Sequence, residues 1–160
     1  MRYYKINLSE SIEHKNVDVR EIKTLTPDLV QLMLTIKKEI KWKGMYSKKD
    51  AIQRFKDGCI CMLLYENNNP IGLRWFYDVR PNIYSFNLFI SEKRNDGISH
   101  KFYETTNNIF YKKGYENLIA YCDDWNDKMW YRASKINGFQ PISIHMFKDM
   151  IGAAKKKTYF

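Results

Sequence analysis

The alternation of apolar and polar residues is clearest between residues 83 and 91. Every second residue there is apolar and most of the residues between are polar, with Tyr84, Phe86, Leu88 and Ile90 set against Ser85, Asn87, Phe89 and Ser91. A period of two indicates a strand with one buried face. Two further apolar runs, at 60–65 and 71–77, precede it, and turn-forming residues separate all three. We therefore predict a meander of three antiparallel strands.

Helical spacing of apolar residues predicts elements on both sides of this meander. Thr26-Pro27 is typical of a helix start, Ser47 is a cap candidate for a second helix, and Gly58 would end that helix. After the meander, helical spacing runs from Ile98 to a stop at Gly114. A last predicted helix begins at Asn126 or Asp127.

The remaining strands complete a mixed sheet. We predict strands at 18–25, at 118–122 and at 139–147, where Pro141 indicates a sheet edge or a bulge. The polar segment 1–17 is predicted to be either an extra edge strand or a loose arm. An antiparallel meander followed by βαβ crossovers, with helices on both faces of the sheet, is an α/β fold. At 160 residues we expect a single domain over 1–160.

The net charge of +9 and the pI of about 9.4 favour anionic partners such as nucleic acid, a phosphorylated cofactor or an acidic lipid surface. The basic residues are dispersed, however, and Lys155-Lys156-Lys157 is the one run of three. A compositional bias with no functional meaning therefore stays an alternative to nucleic-acid binding.

The cysteines and the apolar segments bear on the compartment. The chain has three cysteines, Cys59, Cys61 and Cys122, and an odd number cannot pair fully within one chain. No apolar window reaches the roughly 18 residues that would span a membrane. Histidines, cysteines and carboxylates do not recur at metal-site spacing. We expect a cytoplasmic protein without a metal or a membrane anchor.

The segment from Phe89 to Ser99 carries the clearest indication of a ligand. An extended apolar run gives way to a polar loop with Gly97, and a helical pattern begins at Ser99. Such a loop can direct several backbone N–H groups at one anion, and the helix N-terminus adds its dipole. Gly97 allows close approach of the backbone, and Arg94 and Lys101 can add positive charge. The pattern predicts a phosphate-binding loop.

Three motifs in this order resemble the GNAT superfamily of N-acetyltransferases. Ile71-Gly72 opens one strand, Arg94-x-x-Gly97-x-Ser99 is similar to the loop of that family, and Asn126 leads to a closing Gly138-Phe139. The match covers mainly residues 71–139. The resemblance implies that the strands at 83–91 and 117–122 splay apart.

The resemblance also implies the co-substrate and its binding residues. In this family the loop holds the diphosphate of coenzyme A, and the pantetheine arm lies between the two splayed strands. We therefore expect acetyl-CoA or another acyl-CoA, with no metal, bound by Phe89, Ile90, Arg94, Asn95, Gly97, Ile98, Ser99 and Asn126.

The residues expected to carry the chemistry depart from the family pattern. Many members place a tyrosine four residues before the closing glycine, as general acid to the thiolate, but this chain has Ser134 there. Tyr131, one helical turn earlier, is a candidate to replace it. Asp123 is our candidate for the base or for attracting a cationic amine. Further candidates with weaker support are Glu92, Asp124, Asn87 and Tyr121.

The acceptor is expected to be an amine on a small molecule or a peptide. Trp42, Tyr46, Trp75 and Tyr77 fall where acceptor pockets often lie in the family, although they could equally be packing residues. We expect direct transfer to the amine, because no cysteine has an evident base partner. The alternatives are a catalytically inactive GNAT-like scaffold that binds nucleic acid or protein, and a GNAT-like enzyme that modifies a nucleic acid or nucleotide.

Overall fold

The computed structural model describes residues 1–11, 13–40, 47–91 and 97–152. Strands and helices alternate along this part of the chain. The strands are β1 (Arg2–Asn7), β2 (Asp18–Ile22), β3 (Ile60–Glu66), β4 (Asn69–Val79), β5 (Asn82–Ile90), β6 (Asn117–Cys122) and β7 (Phe139–Ile142). The helices are α1 (Pro27–Ile40), α2 (Lys48–Lys56), α3 (Ile98–Lys112), α4 (Asp127–Ser134) and α5 (Ile144–Ile151).

The strands form one mixed sheet in the order β2-β3-β4-β5-β6-β1-β7. The first four strands of that order are an antiparallel meander, and β6 then pairs parallel to β5 after the crossover through α3. The predicted fold class, an antiparallel meander followed by a βαβ crossover, is confirmed. Two predicted helix caps are also confirmed. The Ser47 hydroxyl accepts a hydrogen bond from the Asp50 amide at 3.1 Å, and the Asn126 side-chain oxygen accepts one from the Met129 amide at 3.2 Å.

Two apolar layers cover the two faces of the sheet. One layer joins the sheet to α1 and α5, and it contains Leu32, Ile36 and Phe147. The other joins the sheet to α3 and α4, and it contains Tyr103 and Ala133. Helices on both faces agree with the prediction. None of the helices in the described part of the chain is long and apolar enough to cross a membrane.

The N-terminal segment differs from the prediction of an edge strand or a loose arm. β1 lies inside the sheet, antiparallel to β6 on one side and to β7 on the other. Its apolar residues explain this position, because Tyr4 and Ile6 point to the same face and are only 1% exposed. The backbone of Asn7 passes so close to Gly138 that a Cβ there would lie 2.9 Å from the Asn7 carbonyl oxygen.

The C-terminal segment also differs from the prediction of one strand over 139–147. β7 ends at Ile142, and Ser143 caps α5 by accepting the Met146 amide at 3.1 Å. Phe147 and Ile151, four residues apart, are then buried on one side of that helix. The apolar residues at every second position, Ile142, Ile144 and Met146, led to the wrong prediction of a continuous strand. The edge position indicated by Pro141 is confirmed, since β7 is an outer strand.

β5 and β6 pair only at one end, which opens the sheet. Their parallel ladder joins 82–84 to 117–119, and beyond it β6 pairs with β1 alone. The Asn117 amide donates to the Asn82 side-chain oxygen at 3.0 Å at the closed end. The two strands therefore splay apart toward Ile90 and Cys122, as predicted, and leave a wedge-shaped cleft in the middle of the sheet.

Candidate functional site

The splayed strands enclose a cavity of about 280 Å³. Side chains from both strands, from α3 and from the segment after β6 line it. The lining residues used below are Tyr4, Arg74, Ser85, Asn87, Leu88, Tyr103, Cys122, Asp123, Trp125, Asn126 and Met129. Its volume lies near the lower end of typical ligand pockets, about 300–1,000 Å³. We refer to this space as the cleft.

A β-bulge in β5 shapes the wall of the cleft. The register against β4 shifts so that Arg74 faces Leu88 and Trp75 faces Phe86, which leaves Asn87 as the extra residue. Asn87 has a φ of +53°, in the left-handed region that asparagine tolerates better than most residues. Its side-chain oxygen accepts Arg54 Nη2 at 3.0 Å, and this bond fixes the asparagine in place. The bulge interrupts the ladder beside the cleft.

A buried arginine lies next to the bulge on the α3 side. Arg74 is only 1% exposed, and its guanidinium donates to Thr106 Oγ1 at 2.5 Å, to Asn107 Oδ1 at 2.9 Å and to Ser85 Oγ at 2.9 Å. All three acceptors are neutral. The guanidinium carbon also lies 4.2 Å from the centre of the Tyr103 ring. Burial lowers the pKa of Arg74.

Two tyrosine hydroxyls meet in the same wall. The hydroxyls of Tyr4, on β1, and Tyr103, on α3, are 3.1 Å apart, and both residues are buried. Burial, and next the neighbouring Tyr103, raise the pKa of Tyr4 well above its ordinary value. Tyr4 therefore stays a neutral hydroxyl. The internal position of β1 is what brings this tyrosine to the cleft.

The opposite rim of the cleft is acidic and aromatic. Asp123 and Trp125 follow β6 directly, and Trp125 is 79% exposed although it lines the cleft. Asp124 points elsewhere, because its carboxylate pairs with the N-terminal amine at 2.8 Å. That amine, through its hydrogen bond, lowers the pKa of Asp124. Asp123 is thus the carboxylate of this pair that faces the cleft.

The cleft also contains one thiol, that of Cys122. The residue is 4% exposed, and burial raises the pKa of its thiol. Its Sγ lies 3.3 Å from the Asp123 carbonyl oxygen. A thiol whose pKa is raised is mostly protonated at neutral pH and is a weak nucleophile. The other cysteines, Cys59 and Cys61, are buried on the α1 side of the sheet.

The predicted phosphate-binding loop leads into the start of α3, where backbone amides could donate to an anion. Gly97 precedes α3 with a φ of +81°, and no side chain of the described residues caps this helix. The first intrahelical bond runs from the Lys101 amide to the Gly97 carbonyl, so the amides of 98–100 precede the helical ladder. Gly97 is exposed and Ser99 is buried. Arg94 and Asn95 lie outside the described residues.

A second, small cavity of about 20 Å³ lies between this helix start and the cleft. It is lined by Ile90, Ser99 and His100, together with residues of the segment 129–136. It shares Leu88, Tyr103 and Met129 with the lining of the cleft. A chain-like ligand with an anionic end could therefore extend from the start of α3 to the bulge along β5.

Only some of the other predicted site residues lie beside the cleft or the helix start. Asn126 lines the cleft while it caps α4. Ile90 lines the small cavity, and Ile98 is the first residue of α3. Phe89 is 5% exposed, and its side chain packs in the core on the α1 side, so only its main chain faces this region. Glu92, one of the candidate bases, lies outside the described residues.

The two predicted proton donors on α4 do not line the cleft. Tyr131 is 63% exposed, and Ser134 donates its hydroxyl to the Tyr131 carbonyl oxygen at 2.7 Å. Of the four aromatic residues predicted for an acceptor pocket, Trp75 is buried in the core and Tyr77 packs against it. Trp42 and Tyr46 lie outside the described residues.

Sequence reasoning missed Arg74, Ser85, Tyr103, Tyr4 and Trp125. One signal was available for Arg74, because it stands between Leu73 and Trp75 in an apolar strand where a charge is rarely buried without a purpose. Tyr103 and Tyr4 gave no such signal, since tyrosine is also a common core residue. Among the described residues, no group of three histidines, cysteines or carboxylates could hold a metal ion.

Compared by sequence, the chain matches no family model and no curated protein. By structure it is similar to acetyltransferases. An aminoglycoside acetyltransferase from an uncultured soil metagenomic sample, in complex with trehalose, gives a TM-score of 0.61 at 17% identity, over 75% of this chain and 88% of that chain. The PaiA N-acetyltransferase of Thermoplasma acidophilum, in complex with coenzyme A, gives 0.59 at 14% identity, over 72% and 87%.

A third similar structure is the ribosomal-protein-alanine N-acetyltransferase of Brucella melitensis biovar Abortus. Its TM-score is 0.58 at 13% identity, over 76% of this chain and 90% of that chain. Identities this low establish the fold alone. The chain has the fold of the GNAT acetyltransferases, and the resemblance predicted from its sequence is confirmed at that level.

Proposed function

We propose that this chain transfers an acyl group from acyl-CoA directly to an amine. The observation that carries the proposal is the pair of neighbouring cavities that lie between the start of α3 and the bulge at Asn87, beside the splayed strands. The amides at Gly97, Ile98 and Ser99 would hold the diphosphate, assisted by Arg94 and Asn95. Each N–H bond to a charged acceptor contributes about 1.5–3 kcal/mol.

The pantetheine arm would lie along β5 and reach the cleft past Leu88 and Met129. Asn126 is in position to contact the arm from the opposite side, because it lines the cleft. The thioester would then stand beside the bulge, where the interrupted ladder leaves main-chain groups to orient the acyl carbonyl. The similar PaiA structure, solved with coenzyme A, supports an acyl-CoA co-substrate.

The acceptor would enter from the rim formed by Asp123 and Trp125. An ammonium group is attracted both by a carboxylate and by the face of an indole ring. The similar aminoglycoside acetyltransferase was solved with sisomicin and with trehalose, which supports a small molecule as the acceptor. A basic amine is mostly charged at neutral pH, so Asp123 would bind the cation and then accept its proton.

The reaction itself requires three proton movements. The ammonium first loses a proton to Asp123, and the neutral amine nitrogen then attacks the thioester carbonyl carbon. The C–S bond breaks, the nitrogen loses its second proton to solvent and the thiolate gains one. Tyr131 and Ser134, the donors expected from the sequence, are retained as candidates for protonating the thiolate. Tyr103 is added because it lines the cleft and carries a hydroxyl. Direct transfer fits the raised pKa of the Cys122 thiol.

Binding calorimetry with CoA and acetyl-CoA tests the proposal. We expect both ligands to bind in the micromolar range, and we expect a structure with CoA to show the sulfur between β5 and β6. Acetylation of a panel of amines, followed by thiol release, then identifies the acceptor class. The absence of CoA and acetyl-CoA binding at millimolar ligand would overturn the proposed function.

A further inference from the structure

Arg74 carries a buried positive charge for which the described residues supply no negative partner. Its hydrogen bonds go to Thr106, Asn107 and Ser85, and its Nε is buried without an acceptor among the described residues. The rings of Phe76 and Tyr103, with centres 4.7 and 4.2 Å from the guanidinium carbon, attract the cation but do not neutralise it. Transfer of an ion into a protein interior costs several kcal/mol unless an opposite charge compensates it. Buried charges are for this reason normally paired.

A purely structural arginine would explain only part of this arrangement. The three neutral acceptors tie β4 to β5 and α3, which stabilises the α3 side of the sheet. Neutral side chains could make such ties without the desolvation of a charge. The charge and the incomplete coordination of the guanidinium indicate an anionic partner that the described residues do not contain.

The position of Arg74 identifies where such an anion would come from. Arg74 lines the cleft and pairs across the sheet with Leu88, the residue that follows the bulge at Asn87. In the proposed function the thioester stands at this bulge. The guanidinium therefore lies beside the tail of the acyl group, on the α3 side of the sheet, whereas Asp123 and Trp125 form the rim where the acceptor enters.

The surroundings of the guanidinium suit a carboxylate better than a methyl group. Ser85, Tyr4 and Tyr103, which all carry hydroxyls, line the same cleft, and the two tyrosine hydroxyls are 3.1 Å apart. An acetyl group would place apolar atoms against this polar wall. A carboxylate would accept charge-assisted hydrogen bonds there and neutralise the buried cation.

We propose that Arg74 binds a carboxylate at the end of the acyl group, so that the preferred donor is the CoA thioester of a dicarboxylic acid. This inference rests on the proposed function and narrows its donor. The distal carboxylate takes no part in the bond changes: the amine still displaces the thiolate at the thioester carbon, and the product is an amide that ends in a carboxylate.

Succinyl-CoA and butyryl-CoA are a matched pair of probes, because both acyl chains have four carbons and only one ends in a carboxylate. We expect calorimetry on the full chain to show that succinyl-CoA binds at least tenfold more tightly than butyryl-CoA, a difference of about 1.4 kcal/mol. Equal binding, or tighter binding of butyryl-CoA, would overturn the proposal even where CoA itself binds well.

Substitution of the arginine tests its role separately. In Arg74→Met we expect the preference for succinyl-CoA to disappear while the affinity for unmodified CoA is retained. Arg80→Met is the control, because Arg80 lies in the turn between β4 and β5, where it pairs with Asp78, and it does not line the cleft. The control should keep the preference, and a preference kept by Arg74→Met would contradict the proposal.

The design separates the possible failures. If CoA, succinyl-CoA and butyryl-CoA all fail to bind, the proposed function fails and the donor inference fails with it. If Arg74→Met does not fold, as circular dichroism would show, the comparison of the two thioesters on the unsubstituted chain still decides. A comparison of simple amines with amino acids as acceptors shows whether the carboxylate belongs to the acceptor, which would also contradict the donor inference.

Discussion

Tyr103 is the candidate proton donor that the structure adds to those expected from the sequence. The family pattern directs attention to α4, where Tyr131 is 63% exposed and Ser134 is bonded to its own helix. Tyr103 instead lines the cleft, with its hydroxyl beside that of Tyr4 and its ring against the Arg74 guanidinium. Tyr103 is therefore the phenol that the structure brings to the cleft, where the proposed function places the thioester.

We expect Tyr103→Phe to lower kcat by roughly 10²–10⁴, the range that general acid catalysis contributes, with little change in KM for acyl-CoA. Tyr131→Phe and Ser134→Ala are the matched comparisons, and each should change kcat by less than Tyr103→Phe. Steady-state kinetics on all three variants over a range of pH provides the measurement. A larger loss in Tyr131→Phe would return the proton donor to α4.

At the scale of elements, the start of α3 is where the proposed function places the diphosphate of the donor. Gly97 has a φ of +81°, and Gly114, just after the same helix, has a φ of +91°; an added Cβ would meet nothing within 4 Å at either position. A left-handed conformation costs a residue other than glycine about 1–2 kcal/mol. The two glycines therefore form a matched pair that differs mainly in proximity to the proposed diphosphate.

We expect Gly97→Ala and Gly114→Ala to lose similar stability, about 1 kcal/mol each, in chemical denaturation. Only Gly97→Ala should weaken the binding of CoA, because the added Cβ would keep the diphosphate from approaching the backbone amides. The loss of one bond to a charged acceptor corresponds to about tenfold or more in affinity. Calorimetry with CoA measures the difference. Equal CoA affinities in the two variants would argue against a diphosphate at the α3 start.

The elements that could be predicted are those whose signals are local. The meander, the caps at Ser47 and Asn126 and the splayed strands follow from periodicity, from turn residues and from the family resemblance. The internal position of β1 could not be predicted in this way, because its partners in β6 lie more than 100 residues away along the chain. A short alternation at 142–146 fits a strand as well as the start of α5.

Of the candidate site, the glycine of the loop before α3 could be predicted from the sequence, whereas the polar wall of the cleft could not. The loop at Gly97 has a glycine at a position where the backbone requires one, so the sequence contains the signal. The polar wall formed by Arg74, Ser85, Tyr103 and Tyr4 comes from β4, β5, α3 and β1, at positions that no motif names. Only the fold brings these residues together.

At the scale of the whole molecule, the net charge of +9 would act on the phosphates of CoA before any contact forms. Interactions between exposed charges are screened beyond about 10 Å at 0.1 M salt. In the proposed function we expect the dissociation constant of CoA to rise with ionic strength, mainly through a slower association rate. Pantetheine shares the arm of CoA but has no phosphate, so its weaker affinity should be insensitive to salt.

Stopped-flow association and calorimetry over a salt series measure both effects. The pair of ligands separates attraction by the whole charge distribution from contacts within the cleft, because both ligands reach the cleft but only CoA is charged. An affinity for CoA that does not change with salt would mean that the dispersed basic residues take no part in binding it. The excess positive charge would then have no part in binding CoA. A compositional bias would explain it, in agreement with the dispersed positions of the basic residues.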